Sequence, residues 1–297
     1  TALIQSSDDP ILFLEYHRQF SHSLFFIPFG SLLVALFIFP FVRGSISLKM
    51  VYLASFLGYA THGLLDACTS YGTQLFWPFS DERVTWNNIS IVDPLFTIPI
   101  LILIASAIKT RKTIFSFFAI GWITFYLSLG FIQYERTLSA AMELAYSRGH
   151  NAERLTLKPS FGNLILWKSI YQHQEIYYVD AIRTVHSSTW CSGESIRMFD
   201  LQYHLPNLDK DSQQAKDIER FGWFSQDYLG YDEENSLVTD IRYSMIPNQI
   251  APLWGLVIDK NRSIDEHASW WTSRSLDQSQ LDLFKEMLSG KKCKIFQ

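Results

Sequence analysis

The chain has 297 residues, a formal net charge of −4, and 48% hydrophobic and 15% aromatic residues. This length allows two ordinary domains. The slight excess of acidic over basic residues argues against nucleic acid as a partner. Three cysteines, Cys68, Cys191 and Cys293, lie far apart without CxxC spacing, so the sequence indicates neither a disulfide framework nor a thiolate zinc site.

Charge divides the chain into two unlike halves. Residues 1–132 contain seven Lys/Arg and seven Asp/Glu, which leaves 18 basic and 22 acidic residues for 133–297. The first half therefore has the composition of a membrane domain and the second that of a water-exposed domain. The chain begins at Thr1 without a signal-peptide profile, so we expect a further N-terminal segment to precede it.

Four apolar stretches in the first half predict a membrane helical bundle of about four spans. Each is close to the length that crosses about 30 Å of hydrocarbon as a helix. The clearest stretch has 19 successive residues without a charge, which a buried helix of a soluble protein rarely shows. The predicted spans are 24–42, 50–69, 94–108 and 113–132.

The basic residues of this half predict the orientation, because Lys and Arg are retained on the cytoplasmic side. Five of the seven lie in two short connections, 43–49 and 109–112, and neither connection contains an acidic residue. These connections are therefore expected to face the cytoplasm. Residues before 24, the loop 70–93 and everything after about 133 are then expected on the outer face.

Two segments predict a metal site at the outer rim. In "HGLLD", His62 and Asp66 are spaced i,i+4 and share one face of the second span. In "HRQFSHS", His17 and His22 stand at the outer start of the first span. Imidazole and carboxylate are the ligands that zinc prefers. The i,i+5 spacing of His17 and His22 requires the segment to bend, and a simple His62–Asp66 packing pair is the alternative.

The loop 70–93 adds groups on the same side. Asp93-Pro94 is typical of a helix start, so Asp93 fits capping as well as catalysis. Arg18 and Arg83 are the candidates to hold an anionic phosphoryl oxygen. Asp81 and Glu82 fit a solvated turn.

The motifs "YHRQFSHSL", "HGLLDACTSYGTQLFWPFS" and "IVDPLF", in this order between spans, resemble the YdjM-like family of LexA-regulated, bacterial inner-membrane, metal-dependent hydrolases. The resemblance runs from the N-terminus to about residue 105. "NLILWKSIY", "DIRYSMIP" and "PLWGLVID" resemble the soluble tail of a long-form subset. Members usually begin with a further segment carrying Asp-Pro and Pro-Asp-x-Asp motifs, which this chain lacks at its start.

The resemblance implies metal-site roles for His17, His22, His62 and Asp66, with Asp93 nearby. The His-x-x-x-Asp element is also similar to that of the zinc phospholipase C and single-strand nuclease superfamily, which implies phosphoester hydrolysis. In such chemistry a divalent metal, here zinc, lowers the pKa of bound water. Asp66 or Asp93 can then accept the proton.

The second half predicts a helical connector over 133–160 and an extracytoplasmic, strand-rich α+β domain over 161–297. Two β runs separated by "QHQE" predict a hairpin, and "SLDQSQLDLFKEMLSG" has the start and stop signals of a final helix. The five histidines of this half lack ligand spacing, which favours surface or packing roles. They are His150, His173, His186, His204 and His267.

The leading hypothesis is a multi-pass inner-membrane hydrolase whose metal site, at the outer lipid–water boundary, acts on a phosphoester or lipid-like substrate. A non-enzymatic metal or ligand sensor, or an assembly factor, is the alternative. A membrane di-iron oxygenase is a weaker one, because His17-x4-His22 resembles a desaturase histidine box but the chain contains no His-His pair. Membrane lipid is the expected partner, and no pattern indicates an oligomeric state.

Overall fold

The structure is a computed structural model that describes residues 6, 8–291 and 293–296. Its residues fall into two compact units, Thr1–Asn87 and Asn88–Gln297. The apolar helices are shared between these units, and the β-sheets lie in the second. A helical N-terminal region followed by a strand-rich region is therefore confirmed.

Over its described residues, the first unit contains three helices, a 3-10 turn and a loop. Helix α2 packs against α3, and Gly30 permits close contact, since a Cβ there would lie 2.6 Å from the Tyr59 ring. An isolated bridge between Thr73 and Val84 pins the loop after α3. The helical segments are α1 (Leu12–Tyr16), the 3-10 turn (Phe20–His22), α2 (Ile27–Val42) and α3 (Leu48–Cys68).

In the second unit two helices precede the sheets. Helix α4 spans Pro94–Thr110, and α5 runs unbroken from Ile114 to Ser147. The fourth predicted span and the first part of the predicted connector are thus one helix. Gln133 on α5 donates to the carbonyl oxygens of Leu164 and Thr184 at 2.9 Å each, which joins this helix to the sheet that follows.

The prediction of about four spans is not supported. Among the described residues, α5 is long and apolar enough to cross a membrane, and a second crossing arises only if Leu12–His22 and Ile27–Val42 count together despite an 81° bend. Helices α2 and α4 are shorter, with 16 and 17 residues. Helix α3 is long enough, but Lys49, His62 and Asp66 lower its hydropathy.

The surface of these helices is nevertheless apolar. Phe37 and Phe41 on α2 are 75% and 79% exposed, and Ile108 on α4 is 74% exposed. In the apolar stretch of α5, only 17% of the residues are buried inside the protein. Exposed apolar side chains in such number are typical of helices that contact lipid.

Two antiparallel sheets form the rest of the second unit. The larger has the strand order β1-β2-β3-β4-β10 with β5 also paired to β3, and the smaller has the order β6-β7-β8-β9. The predicted hairpin is confirmed, because His173 pairs with Ile176 across a two-residue turn. The strands are β1 (Arg154–Pro159), β2 (Leu166–His173), β3 (Ile176–Thr184), β4 (Ser188–Cys191), β5 (Ser195–Arg197), β6 (Leu229–Asp232), β7 (Leu237–Asp240), β8 (Trp254–Val257), β9 (Ser269–Thr272) and β10 (Lys294–Ile295).

Three further helices accompany the sheets: α6 (Leu201–His204), α7 (Gln213–Ser225) and α8 (Gln278–Ser289). Helix α8 is the predicted final helix. Its N-cap is Asp277, which forms a capping box with Gln280, and Gly290 ends it at a φ of +83°. The buried face of α8 packs through Met287 on Leu166 and Cys191 of the larger sheet.

One sequence expectation is wrong in this unit, since Cys191 and Cys293 form a disulfide that joins β4 to the C-terminal segment. The pair is 102 residues apart in the chain, and only the return of the C-terminus to the sheet edge as β10 brings the two thiols together. Cys68 is buried in the first unit and free.

Candidate metal centre

Three of the predicted ligands converge in the first unit. His22 ends the 3-10 turn, and one helical turn separates His62 from Asp66 on α3. Nε2 of His22 lies 3.0 Å from Nε2 of His62 and 3.1 Å from Oδ2 of Asp66. Each residue offers one ligand atom, and the three atoms lie within 4.8 Å of one another. Among the described residues, this is the one group of three or more His, Cys, Asp or Glu side chains with such spacing.

A glycine makes this convergence possible. A Cβ on Gly63 would lie 2.6 Å from the backbone oxygen of His22, which is closer than real Cβ contacts. Without a side chain at 63, the 3-10 turn packs directly on the backbone of α3. In the "HG" pair, His62 is therefore one ligand, and the absence of a side chain on Gly63 leaves room for the turn that carries His22.

Two of the three ligand separations are close to those around a tetrahedral metal ion. Nitrogen ligands bonded at about 2.0–2.1 Å to such an ion are about 3.3–3.4 Å apart. The two short separations at His22 are within a few tenths of an ångström of that value. Two histidines and one carboxylate leave a position for water, the arrangement that catalytic zinc sites have.

A neighbouring hydroxyl orients His22. Ser21 Oγ lies 2.9 Å from Nδ1 of this imidazole. When Nε2 donates its lone pair to a cation, Nδ1 carries the ring hydrogen and donates it in a hydrogen bond to Ser21 Oγ. Such contacts hold a ligating ring in one orientation and one tautomer.

Arg18 pairs with the carboxylate of the group. Its Nε lies 3.1 Å from Oδ2 of Asp66, and its Nη1 donates to the Asp66 carbonyl at 3.2 Å and to Thr69 Oγ1 at 2.9 Å. The backbone of Arg18 has a φ of +53°, a left-handed conformation that L-residues adopt uncommonly. The chain turn at Arg18 therefore directs this guanidinium to α3.

His17 lies outside the group of three. It follows the end of α1, and its ring packs edge-on against Tyr71 with centroids 4.7 Å apart. Its backbone oxygen accepts from both Nη1 and Nη2 of Arg83 at 3.2 Å. Arg83 is buried and also donates to Gly72, so in this structure it ties the loop to the segment that carries His17.

Asp93 belongs to the second unit and caps α4. Its Oδ1 accepts from the backbone N–H groups of Leu95 and Phe96, and its Oδ2 accepts from the Tyr126 hydroxyl at 2.9 Å. The predicted N-cap is confirmed. Because both carboxylate oxygens are occupied, these bonds account for the burial of Asp93 without a catalytic role.

We expect Asp93→Ala to lower the free energy of unfolding by about 1–3 kcal/mol, because it removes an N-cap and leaves the buried Tyr126 hydroxyl without its acceptor. Asp93→Asn should restore most of the loss, since asparagine caps helices well. Chemical denaturation monitored by tryptophan fluorescence measures both. Zinc content should not change in either variant, and equal stability of Asp93→Ala and wild type would contradict the capping role.

The histidines of the second unit form contacts of another kind. His150 and His173 stack with ring centroids 4.5 Å apart, and His150 Nδ1 lies 2.8 Å from the Tyr171 hydroxyl. Among the described residues, neither of these two histidines belongs to a group of three or more possible metal ligands. His267 is held by the buried carboxylate of Asp217 at 2.9 Å.

Sequence reasoning missed three residues that support the group: Ser21, Gly63 and Thr69. Ser21 stands beside His22 and Gly63 beside His62, so adjacency in the motifs was the available signal. Thr69 follows Asp66 by three residues, and its hydroxyl donates to the Asp66 carbonyl at 2.7 Å.

Comparison with known proteins shows that part of the chain is similar to a protein family. Residues 4–137 match the family model described as YdjM inner membrane protein. A search of curated proteins and a search of solved structures each returned no significant match. The matched range contains every residue of the group of three, the helices α1 to α4 and most of the apolar part of α5. The resemblance seen in the motifs is confirmed by this match over residues 4–137.

Proposed function

We propose that this protein is a membrane-embedded, metal-dependent hydrolase that acts on a phosphoester or lipid-like substrate at the outer membrane–water boundary. The observation that carries the proposal is the convergence of His22, His62 and Asp66, whose three ligand atoms lie within 4.8 Å of one another.

Residues of the first unit supply the chemistry in this proposal. His22, His62 and Asp66 would hold a divalent ion, which would lower the pKa of a bound water towards 7 and screen charge on phosphoryl oxygens. Arg18 contacts Asp66 and Thr69 through Nε and Nη1. Within the described residues its Nη2 makes no hydrogen bond, so this group can donate to an anionic oxygen of the substrate.

Asp66 is our choice of proton acceptor over Asp93. In the described structure Oδ2 of Asp66 receives Arg18 and His22, and Oδ1 makes no hydrogen bond. One oxygen can bind the ion while the other accepts the proton. Both oxygens of Asp93 are already hydrogen-bonded.

Two observations support the outer location. Lys109, Arg111 and Lys112 precede α5, so the positive-inside rule favours a cytoplasmic N-terminal end of α5 and an outer location for the domain that follows it. The Cys191–Cys293 disulfide is typical of an oxidising compartment. We therefore propose a multi-pass protein whose C-terminal domain is extracytoplasmic.

Metal content tests the proposal. Purified wild-type chain, loaded with zinc and desalted, is expected to retain a stoichiometric amount that His62→Ala plus Asp66→Ala loses. The matched control is Asp200→Ala plus His204→Ala, an aspartate–histidine pair with the same i,i+4 spacing at the exposed helix α6. Unchanged zinc in the first double variant would rule out the shared site.

Activity then separates a catalyst from a sensor. Zinc-loaded wild-type protein is expected to hydrolyse phospholipid or a water-soluble phosphodiester, and the His62/Asp66 double variant is not. Bound metal together with inactivity across such a panel would favour the sensor.

A further inference from the structure

A lysine occupies a core position in the larger sheet. Leu166, Lys168 and Ile170 share one face of β2, because side chains alternate along a strand. Leu166 and Ile170 belong to two buried hydrophobic clusters, and Lys168 lies between them with 4% of its surface exposed. Lysine is almost never fully buried unless its ammonium group is paired, so the groups around Nζ indicate what Lys168 does.

The segment 241–250, which follows β7, supplies those groups. Nζ of Lys168 donates to Oγ of Ser244 at 2.7 Å and to the backbone oxygen of Gln249 at 2.7 Å. Ile246 anchors the same segment in a buried cluster of the sheet. The side chain of Lys168 is therefore held in one position, with Nζ directed at a serine hydroxyl.

The serine, unlike the lysine, lies near the surface. Ser244 is partly exposed, and the next residue, Met245, is 37% exposed. The Ser244 hydroxyl accepts from Lys168 and donates to the carbonyl oxygen of Ile246 at 2.7 Å. A hydroxyl near the surface with an amine beneath it is the arrangement in which an adjacent base activates a serine nucleophile.

The surroundings of Lys168 favour the neutral amine. Burial lowers the pKa of Lys168 to about 7, although the carboxylates of Asp240 and Glu194 act in the opposite direction. Lys158, the buried cross-strand neighbour on β1, is a further basic group on this face. A lysine with a pKa near 7 is partly neutral at neutral pH, so its lone pair can accept a proton.

The segment also offers donors for a developing negative charge. Within the described residues, the backbone N–H groups of Ser244, Met245 and Ile246 make no hydrogen bond. Backbone N–H groups beside a nucleophile are the donors that stabilise the oxyanion formed in acyl transfer. Nucleophile, base and oxyanion donors are thus all supplied by Lys168 and one short stretch of chain.

We propose that Ser244 and Lys168 form a second catalytic site, a serine–lysine dyad that hydrolyses an acyl compound, either an ester or an amide. Ser244 is the nucleophile and Lys168 the general base. This activity is separate from the proposed metal-dependent one, since none of its steps uses the group of His22, His62 and Asp66.

The reaction takes two steps. The Ser244 hydroxyl turns from the Ile246 carbonyl to neutral Lys168, and Nζ takes its proton as Oγ bonds to the carbonyl carbon of the substrate. The bond from that carbon to the leaving oxygen or nitrogen then breaks, and the ammonium group returns the proton to it. Water attacks the acyl-serine ester with Lys168 again as base, which releases the acid and restores Ser244.

A fluorophosphonate tests the dyad, because an activated serine displaces its fluoride and forms a stable bond to phosphorus. The full chain in detergent is treated with the probe, and mass spectrometry locates the label. We expect the label on Ser244 in the wild type and its loss in Ser244→Ala. Lys168→Met is expected to slow labelling by about 100-fold or more, the contribution of a general base. Lys168→Arg should not rescue it, because guanidinium stays protonated.

Lys158→Met is the matched control, since it removes a second buried lysine at the cross-strand position and should leave the labelling rate within about threefold of the wild type. Circular dichroism checks that each variant is folded. An equal loss of labelling in Lys158→Met and Lys168→Met would overturn the proposal, because packing and not the amine would then control Ser244. Absence of label on Ser244 in the folded wild type would also overturn it.

The pH profile distinguishes a base from a structural lysine. Labelling should rise about tenfold per pH unit below the pKa of Lys168, which is about 7, and level off above it. A profile without an inflection between about pH 6 and 8 would contradict the role of Lys168 as base. Hydrolysis of a p-nitrophenyl ester and of a p-nitroanilide then separates ester from amide substrates. Labelling should persist in EDTA, whereas its loss there would overturn a site separate from the metal group.

Discussion

Replacing Gly63 with alanine is expected to weaken zinc binding by about 10–100-fold, the size of effect seen when the support of a metal ligand is removed. The added methyl group would lie 2.6 Å from the backbone oxygen of His22. Backbone cannot move aside as a flexible side chain does, so the 3-10 turn must separate from α3. Nε2 of His22 then moves away from Nε2 of His62, although no ligand residue has been substituted.

Gly58→Ala is the control for this prediction, because it makes the same change on the same helix where nothing lies within 4 Å. Both substitutions favour helix formation equally, so any difference reflects the contact with the 3-10 turn. Zinc affinity is measured by competition with a chromophoric chelator, and circular dichroism checks that α3 persists. Gly63→Ala with the zinc affinity of Gly58→Ala would show that the close approach does not position His22.

The second large effect concerns the disulfide of the C-terminal domain. Cys191→Ser is expected to lower the free energy of unfolding of this domain by about 2–5 kcal/mol, as loss of a native disulfide does. The bond closes a long loop and retains β10 at the sheet edge. Chemical denaturation of wild type and variant, without reductant, measures the loss. Cys68→Ser is a control for thiol removal, since Cys68 is free in the first unit.

The same bond reports the orientation of the domain. Cells are quenched with acid, and denatured protein is labelled with a maleimide that adds mass to each free thiol. If the domain is extracytoplasmic, the chain should take up one label before reduction and three after it, because it has three cysteines and one of them is free. Three labels without reduction would place the domain in a reducing compartment and contradict the proposed topology.

Helical geometry alone predicts one part of the candidate site. His62 and Asp66 share a face of α3 because residues four apart on any α-helix do, so this half of the group was predictable. His22 joins through packing of the 3-10 turn on Gly63, a contact 41 residues apart in the chain that no local pattern encodes. His17 was included on proximity, but the chain leaves the helix after Tyr16 and turns at Arg18, which places the imidazole against Tyr71 instead.

By itself, the sequence determined the division into an apolar helical half and a polar strand-rich half, the hairpin and the cap at Asp93, because composition, period and capping are local properties. Its motifs also indicated the similarity of residues 4–137 to one family. Tertiary structure decided which histidine meets Asp66, where Arg18 donates, and that Cys191 pairs with Cys293. Each of these contacts joins residues distant in the chain, so each depends on how elements pack. The tertiary structure also decided the helix lengths. The 81° bend between Leu12–His22 and Ile27–Val42 and the continuity of α5 depend on packing, which hydropathy does not describe.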